Sequence, residues 1–203
     1  MSNFIYISLG PNCHTSGVLK HLGYKKESYP FDWILSNLKI INYSILNNFS
    51  EFLDRNNYYK LNNKISLIEK NIKYLEKMFA HRDPVDNELD FKYIVRCVNR
   101  FNNLQNNNCF KLFFYTAYNN CYNNNELLEC ENILNQKFKN YRLIVLNYIK
   151  SDEIMNYNII YDKVIIINIY INYELSVDYD IDKSILNFHN NNKPIEEIIK
   201  KLT

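Results

Sequence analysis

The chain opens on Phe4-Ile5-Tyr6-Ile7-Ser8-Leu9, a β-branched and aromatic run halted by Gly10-Pro11, which predicts a buried first strand. From Asn12 to Leu22 the apolar spacing changes to that of a helix, with Val18, Leu19 and Leu22 on one face and Gly23 as the stop. Glu27 to Trp33 is short and aromatic, and Pro30 excludes it from the middle of a sheet. Ser36 to Phe52 again reads as helix, through Leu38, Ile41, Ile45, Leu46, Phe49 and Phe52. Asn56 to Asn63 reads as irregular or as an edge strand, and Ile65 to Met78 fits helix or strand-plus-helix equally. Asn87 to Leu104 predicts a helix with Leu89, Ile94, Val98, Phe101 and Leu104 on its apolar side. Strand Lys111–Tyr115, helix Glu126–Phe138, strands Tyr141–Tyr148 and Lys163–Ile169, and a last helix Ile195–Leu202 opened by Pro194 complete the pattern. Alternation of this kind predicts one α/β domain over residues 1–203, a mostly parallel sheet flanked by helices.

Composition changes this picture little. The chain has 203 residues, 47% of them hydrophobic and 15% aromatic, which suits a packed core and excludes disorder. A net charge of +2 gives no reason to expect a nucleic-acid polymer or a membrane surface as partner. The longest apolar run, Val164 to Ile171, is interrupted by Asn168 and is too short to span a bilayer. With 35 asparagines, and Ile, Lys and Tyr also heavy, the chain is biased toward residues with AT-rich codons. An AT-rich genome, such as that of a large DNA virus or a low-GC microbe, is the expected source. The five cysteines are odd in number and lack C-x-x-C spacing, so a disulfide framework and a zinc ribbon are not expected. No signal pattern opens the chain, and a cytoplasmic setting, the host's for a viral protein, is expected.

The chemistry concentrates where the first strand meets the first helix. Cys13 falls at or near the helix N-terminus, where unpaired backbone N–H groups and the positive end of the helix dipole lie. A thiol so placed can have its pKa lowered, and the thiolate is the nucleophile. The same N–H groups, with Gly10 and the Asn12 amide beside them, can hold a developing oxyanion. Ser8 points from the strand end toward the turn, to bond a ligand or the loop. Two other readings use the same residues. The turn can cradle a phosphate or carboxylate with Cys13 as a wall, although it has neither G-x-G-x-x-G nor the Walker lysine. It can also be a plain Gly-Pro-Asn turn followed by a core cysteine.

A nucleophilic cysteine needs a base, and histidine is the usual one. His14 adjoins Cys13, so helical spacing turns it about 100° away. His21 and His189 read as solvated. His81, in Phe79-Ala80-His81-Arg82-Asp83, has apolar residues before it and charged ones after, as at a strand end opening onto a site.

Ile7-Ser8-Leu9-Gly10-Pro11-Asn12-Cys13, Leu19-Lys20-His21-Leu22-Gly23 and Ser28-Tyr29-Pro30-Phe31-Asp32-Trp33 together resemble the opening signature of an uncharacterised viral and bacterial family inferred to be papain-like cysteine peptidases. Phe79-Ala80-His81 resembles that family's Phe-x-His segment, Arg96 to Phe101 its arginine-rich helix, and Lys111 to Tyr115 the strand that follows. The resemblance covers roughly the first 150 residues. It implies Cys13 as nucleophile and His81 as base. A nucleophile directly after the first strand differs from papain, whose nucleophile helix precedes its sheet. A cysteine site on a parallel sheet is therefore expected rather than a papain fold.

Asp32 fits two roles: third member of a triad orienting His81, or holder of its own loop and cap of the following helix, the latter preferred. Asn147, at a strand end, is a lesser candidate for the orienting role. Trp33 reads as a core anchor. Arg96 and Arg100, four apart, share a helix face and can grip a phosphate or carboxylate, or pair with Glu88 or Asp90. Cys97, Cys109, Cys121 and Cys130 lack metal-ligand spacing, and no metal or cofactor is expected. The leading expectation is a cysteine hydrolase, peptidase-like or acyl-transferring, acting on a protein or small-molecule substrate through Cys13, His81 and Asp32. The alternatives are a protein that binds or cleaves an anionic nucleotide or phosphate ligand, such as a host signalling nucleotide, and a non-enzymatic interaction protein.

Overall fold

The computed structural model describes residues 4–61, 64–67, 78–150, 156–161, 163–171 and 193–202. The elements run β1 (Phe4–Gly10), α1 (Cys13–His21), α2 (Leu38–Leu46), β2 (Tyr58–Leu61), β3 (Lys64–Leu67), α3 (Glu88–Asn103), β4 (Phe110–Tyr118), α4 (Asn124–Lys137), β5 (Tyr141–Lys150), β6 (Asn156–Tyr161), β7 (Val164–Ile171) and α5 (Lys193–Leu202). The main sheet has the order β1-β4-β5-β7-β6. Its first four strands are parallel, and β6 runs antiparallel along the far edge. A separate antiparallel pair joins β2 to β3. This is the mostly parallel α/β sheet the alternation predicts, with the turn from Gly10 to Cys13 directly after the first strand.

Central strands of such a sheet are covered on both faces, so both sets of alternating side chains are apolar. Along β4, Phe113, Tyr115 and Ala117 join a core built with Ile41 and Ile45 of α2, Ile94 and Phe101 of α3, and Leu127 and Leu134 of α4. Leu112 and Phe114 face the other way, into a core closed by Val18 and Leu19 of α1 and Ile199 of α5. The residues of α1 that meet the sheet therefore belong to a different layer from α2, α3 and α4.

Three boundaries differ from the sequence pattern, each for a local reason. The helix expected over Ser36–Phe52 ends at Leu46, because Asn48 and Phe49 take left-handed backbone with φ of 50° and 61°. The apolar spacing continues past that end because Phe49 and Phe52 still pack into the core, each 1% exposed, from a turn. Strand β6 has no apolar run to announce it, its Asn-Tyr-Asn start being polar. The segment carrying His81 is irregular rather than a strand end. Of the stretch left open between helix and strand, Ile65 to Leu67 belongs to β3, and 68–77 lie outside the described residues. His189 also lies outside them. Among the described residues no helix is long and apolar enough to cross a membrane.

Candidate active site

Strand β1 ends at Gly10, whose φ of +99° is a conformation L side chains rarely adopt. A Cβ at this position would also run into the Ser36 hydroxyl, which donates to Leu9 O at 3.4 Å. Gly10→Ala is expected to destabilise the fold by about 2 kcal/mol or more, measured by denaturant unfolding. Adding Ser36→Ala should recover the steric part and leave the backbone part. Ser8, fully buried, accepts the Gly10 N–H at 3.3 Å and so serves the turn itself.

Asn12 is the N-cap of α1, its side-chain oxygen accepting the His14 N–H at 3.0 Å. The cap uses the side-chain oxygen of Asn12 and not its Nδ2 donor. Cys13 is the first helical residue, 6% exposed, at the carboxyl end of the parallel strands, where α/β sheets place their ligands. Thr15 donates to Gly10 O at 2.6 Å and bonds Thr116 of β4 at 2.7 Å, which pins the helix start onto the sheet.

Successive helix residues are about 100° apart, so these contacts fix the direction of the rest. His14, Thr15, Val18 and Leu19 face the sheet: the His14 ring meets the Tyr148 hydroxyl at 3.2 Å, and Val18 and Leu19 enter the core. Cys13 and Ser16, one turn apart, fall on the opposite flank. That flank lies under the loop between α1 and α2, where Ser16 stands beside Asp32 and favours its charged form. The two groups do not reach hydrogen-bond geometry. His14 thus diverges from Cys13, as its adjacency predicted; its partnership with Tyr148 is a contact between residues 134 positions apart that no local pattern announces.

The covering loop is held from within. Asp32, fully buried, pairs with Lys25 and accepts the Tyr29 N–H at 2.6 Å. Burial pushes its carboxyl above the ordinary aspartate range, against the pull of Lys25 and of the Tyr29 amide. These bonds hold the loop, one of the two tasks preferred for Asp32; the other, capping the following helix, falls to Asn37, whose side chain accepts the Ile40 N–H at 2.9 Å. Arg100 donates to Ser28 O at 3.3 Å and anchors the same loop, while Arg96 is exposed beside the Tyr93 ring. The two arginines therefore have different neighbours. Asn147 is also engaged: it bonds Asn120 at 2.7 Å and Asn168 at 2.8 Å through its amide, and its oxygen accepts the Asn120 N–H.

The loop also carries the link to His81. Ser36 N–H donates to Pro11 O at 2.7 Å, and its neighbour Leu35 donates to Met78 O at 2.8 Å. Residues 35 and 36 thus link the cysteine turn to the segment that begins at Met78. His81 is exposed, and its ring stands edge-on to Trp33 with centroids 6.2 Å apart. Trp33 is half-buried and lines the cleft beside His81; it is not among the residues that build either core, so the expected core anchor is a wall residue instead.

The family profile described as "Putative papain-like cysteine peptidase (DUF1796)" matches residues 4–146. The chain belongs to this family. The matched stretch runs from β1 into β5 and contains Cys13, Asp32, His81, Arg96 and Arg100. A protein of Acanthamoeba polyphaga mimivirus, "Uncharacterized protein R408", is 48% identical over 54 residues, covering 26% of this chain and 24% of the viral one. The chain therefore spans about a quarter of that relative's length in the match. No solved structure matches.

For a family of cysteine-peptidase type, the state of each thiol matters. No disulfide joins any of the five cysteines. Burial raises the pKa of Cys97, and pushes Cys130 up to about 12, so neither is a thiolate near neutral pH. Among the described residues no group of three or more His, Cys, Asp or Glu side chains gathers as a metal site would require.

Proposed function

We propose that this family member is a cysteine hydrolase in which Cys13 is the nucleophile and His81 the general base. One observation supports this above the others: Cys13 begins α1 on the flank facing the loop, and two hydrogen bonds through residues 35 and 36 tie its turn to the strip bearing His81. In the reaction, His81 takes the Cys13 proton and the sulfur attacks an acyl carbon, forming a thioester as the bond to the leaving amine or alkoxide breaks. His81 gives the proton to that leaving group. Water then attacks the thioester with His81 as base, releasing the acid and restoring the thiol. The positive end of the α1 dipole favours both the thiolate and the oxyanion. Asp32 acts here as a positioning residue, holding the loop that carries Trp33 against His81. The substrate is a protein or small acyl compound, met in the cytoplasm, the setting that suits five cysteines with no disulfide among them.

Alkylation with iodoacetamide across pH, followed by mass spectrometry of the Cys13 peptide, tests the reading. A rate midpoint below the ~8.5 of free cysteine is expected, and one shifted upward by His81→Ala. Labelling of Cys13 no faster than that of exposed Cys121 at every pH would remove the basis for a primed nucleophile.

A further inference from the structure

His81 stands in an irregular strip, and an imidazole carried by such a strip keeps its place only if the backbone on either side is held. Upstream the hold comes from the main chain. The Phe79 N–H donates to Ile65 O of β3 at 3.1 Å, and Met78 O accepts the Leu35 N–H at 2.8 Å. Downstream it comes from one carboxylate. Asp90, in the first turn of α3, accepts the Asp83 N–H through one oxygen at 2.9 Å and the Arg82 guanidinium through the other at 2.8 Å. The same guanidinium lies over the ring of Tyr93, also of α3, at 3.5 Å. Both residues that follow His81 are thereby fastened to α3.

The helix is a fixed reference for them. Ile94, Val98 and Phe101 seat it in the core, and Asn87 caps its start by accepting the Leu89 N–H at 2.9 Å. Asp90 is mostly withdrawn from solvent, which strengthens both of its charge-assisted bonds. Other bonds brace the strip further along: the Asp83 carboxylate accepts the Val85 and Asp86 N–H groups at 3.1 and 2.9 Å, and Lys60 of β2 donates to it at 2.6 Å. We infer that Asp90 is a positioning residue for His81, fixing the strip so that the imidazole keeps its place against Trp33. Its part in catalysis rests on the reading of His81 as base; its hold on the imidazole does not.

Trp33 is the chain's one tryptophan, with its ring 6.2 Å from that of His81, and a protonated imidazole at such range quenches indole emission. Imidazole is the side chain that changes charge between about pH 5 and 8. Around Trp33, burial holds Tyr29, Tyr93 and Cys97 above their ordinary values, and Arg82 stays charged. His81→Ala supplies the blank for every other group, the neighbouring Asp32 included. Wild type should show an acid quench that His81→Ala lacks. Asp90→Asn should lose most of it, because an amide keeps one acceptor and turns a donor toward the second partner. Asp90→Glu should regain part, and Glu88→Gln, which removes an equal charge from the same turn, should keep it whole. In p-nitrophenyl ester hydrolysis, Asp90→Asn should lower kcat about tenfold with KM little changed. Should Asp90→Asn unfold, Arg82→Gln is read instead; it removes one of the two bonds, leaves Asp90 in place and should lose part of the quench. An undiminished quench in the variant read, an equal loss in Glu88→Gln, or no His81-dependent quench in wild type would overturn the inference. If the quench behaves as expected while Cys13→Ala leaves turnover intact, the hydrolase reading fails and the anchor stands.

Discussion

Replacing Cys13 by alanine is expected to lower turnover by more than about a thousandfold while leaving the protein folded. The size follows from chemistry: without the sulfur no covalent acyl intermediate can form, and loss of a nucleophile removes the whole two-step route. The retention of fold follows from structure. The Cys13 side chain is small and its helix is held by other groups: the Asn12 cap, the two Thr15 hydrogen bonds, and Val18 and Leu19 in the core. His81→Ala should cost about a hundredfold to ten-thousandfold, and as an exposed residue it should leave stability within about 0.5 kcal/mol. The measurement is hydrolysis of a panel of p-nitrophenyl esters and peptidyl aminomethylcoumarins, with unfolding midpoints taken alongside. Undiminished turnover in both variants would end the assignment. Loss in Cys13→Ala with full activity in His81→Ala would keep the nucleophile and require another base.

The cysteine turn was legible because its signals are local. Gly10-Pro11 punctuates an apolar run, and Asn12 is a helix cap wherever a helix follows. Strands buried on both faces, such as β4, show as unbroken apolar runs for the same reason. What stayed hidden depends on distant contacts. That His14 would turn from Cys13 followed from spacing; that Tyr148 would receive it did not. Asp32 could be read as buried between Phe31 and Trp33, yet its cation, Lys25, lay unremarked seven residues upstream. A buried carboxylate calls for a paired cation, and asking which lysine supplies it would have found this one. Asp90 was read as a partner for Arg96 or Arg100, and nothing in its spacing announces that it bonds Arg82 and the Asp83 N–H instead. Asn147 shows the cost of a biased composition: one asparagine among 35 carries little information until its bonds to Asn120 and Asn168 are seen.

Asp32→Asn is expected to destabilise the fold by about 3–5 kcal/mol, because it leaves the Lys25 ammonium buried without its counter-charge. The ion pair itself is not the source of that figure. Both side chains are almost completely buried, and withdrawing two charges from water offsets most of their attraction. The double variant Lys25→Met with Asp32→Leu should therefore recover most of the loss, which a purely additive pair of defects would not allow. Because the loop that Asp32 holds also carries Trp33 against His81, activity in the double variant tells whether the pair serves only stability. Stability regained with kcat still depressed would mark Asp32 as positioning the base through Trp33, whereas recovery of both would confine it to the loop.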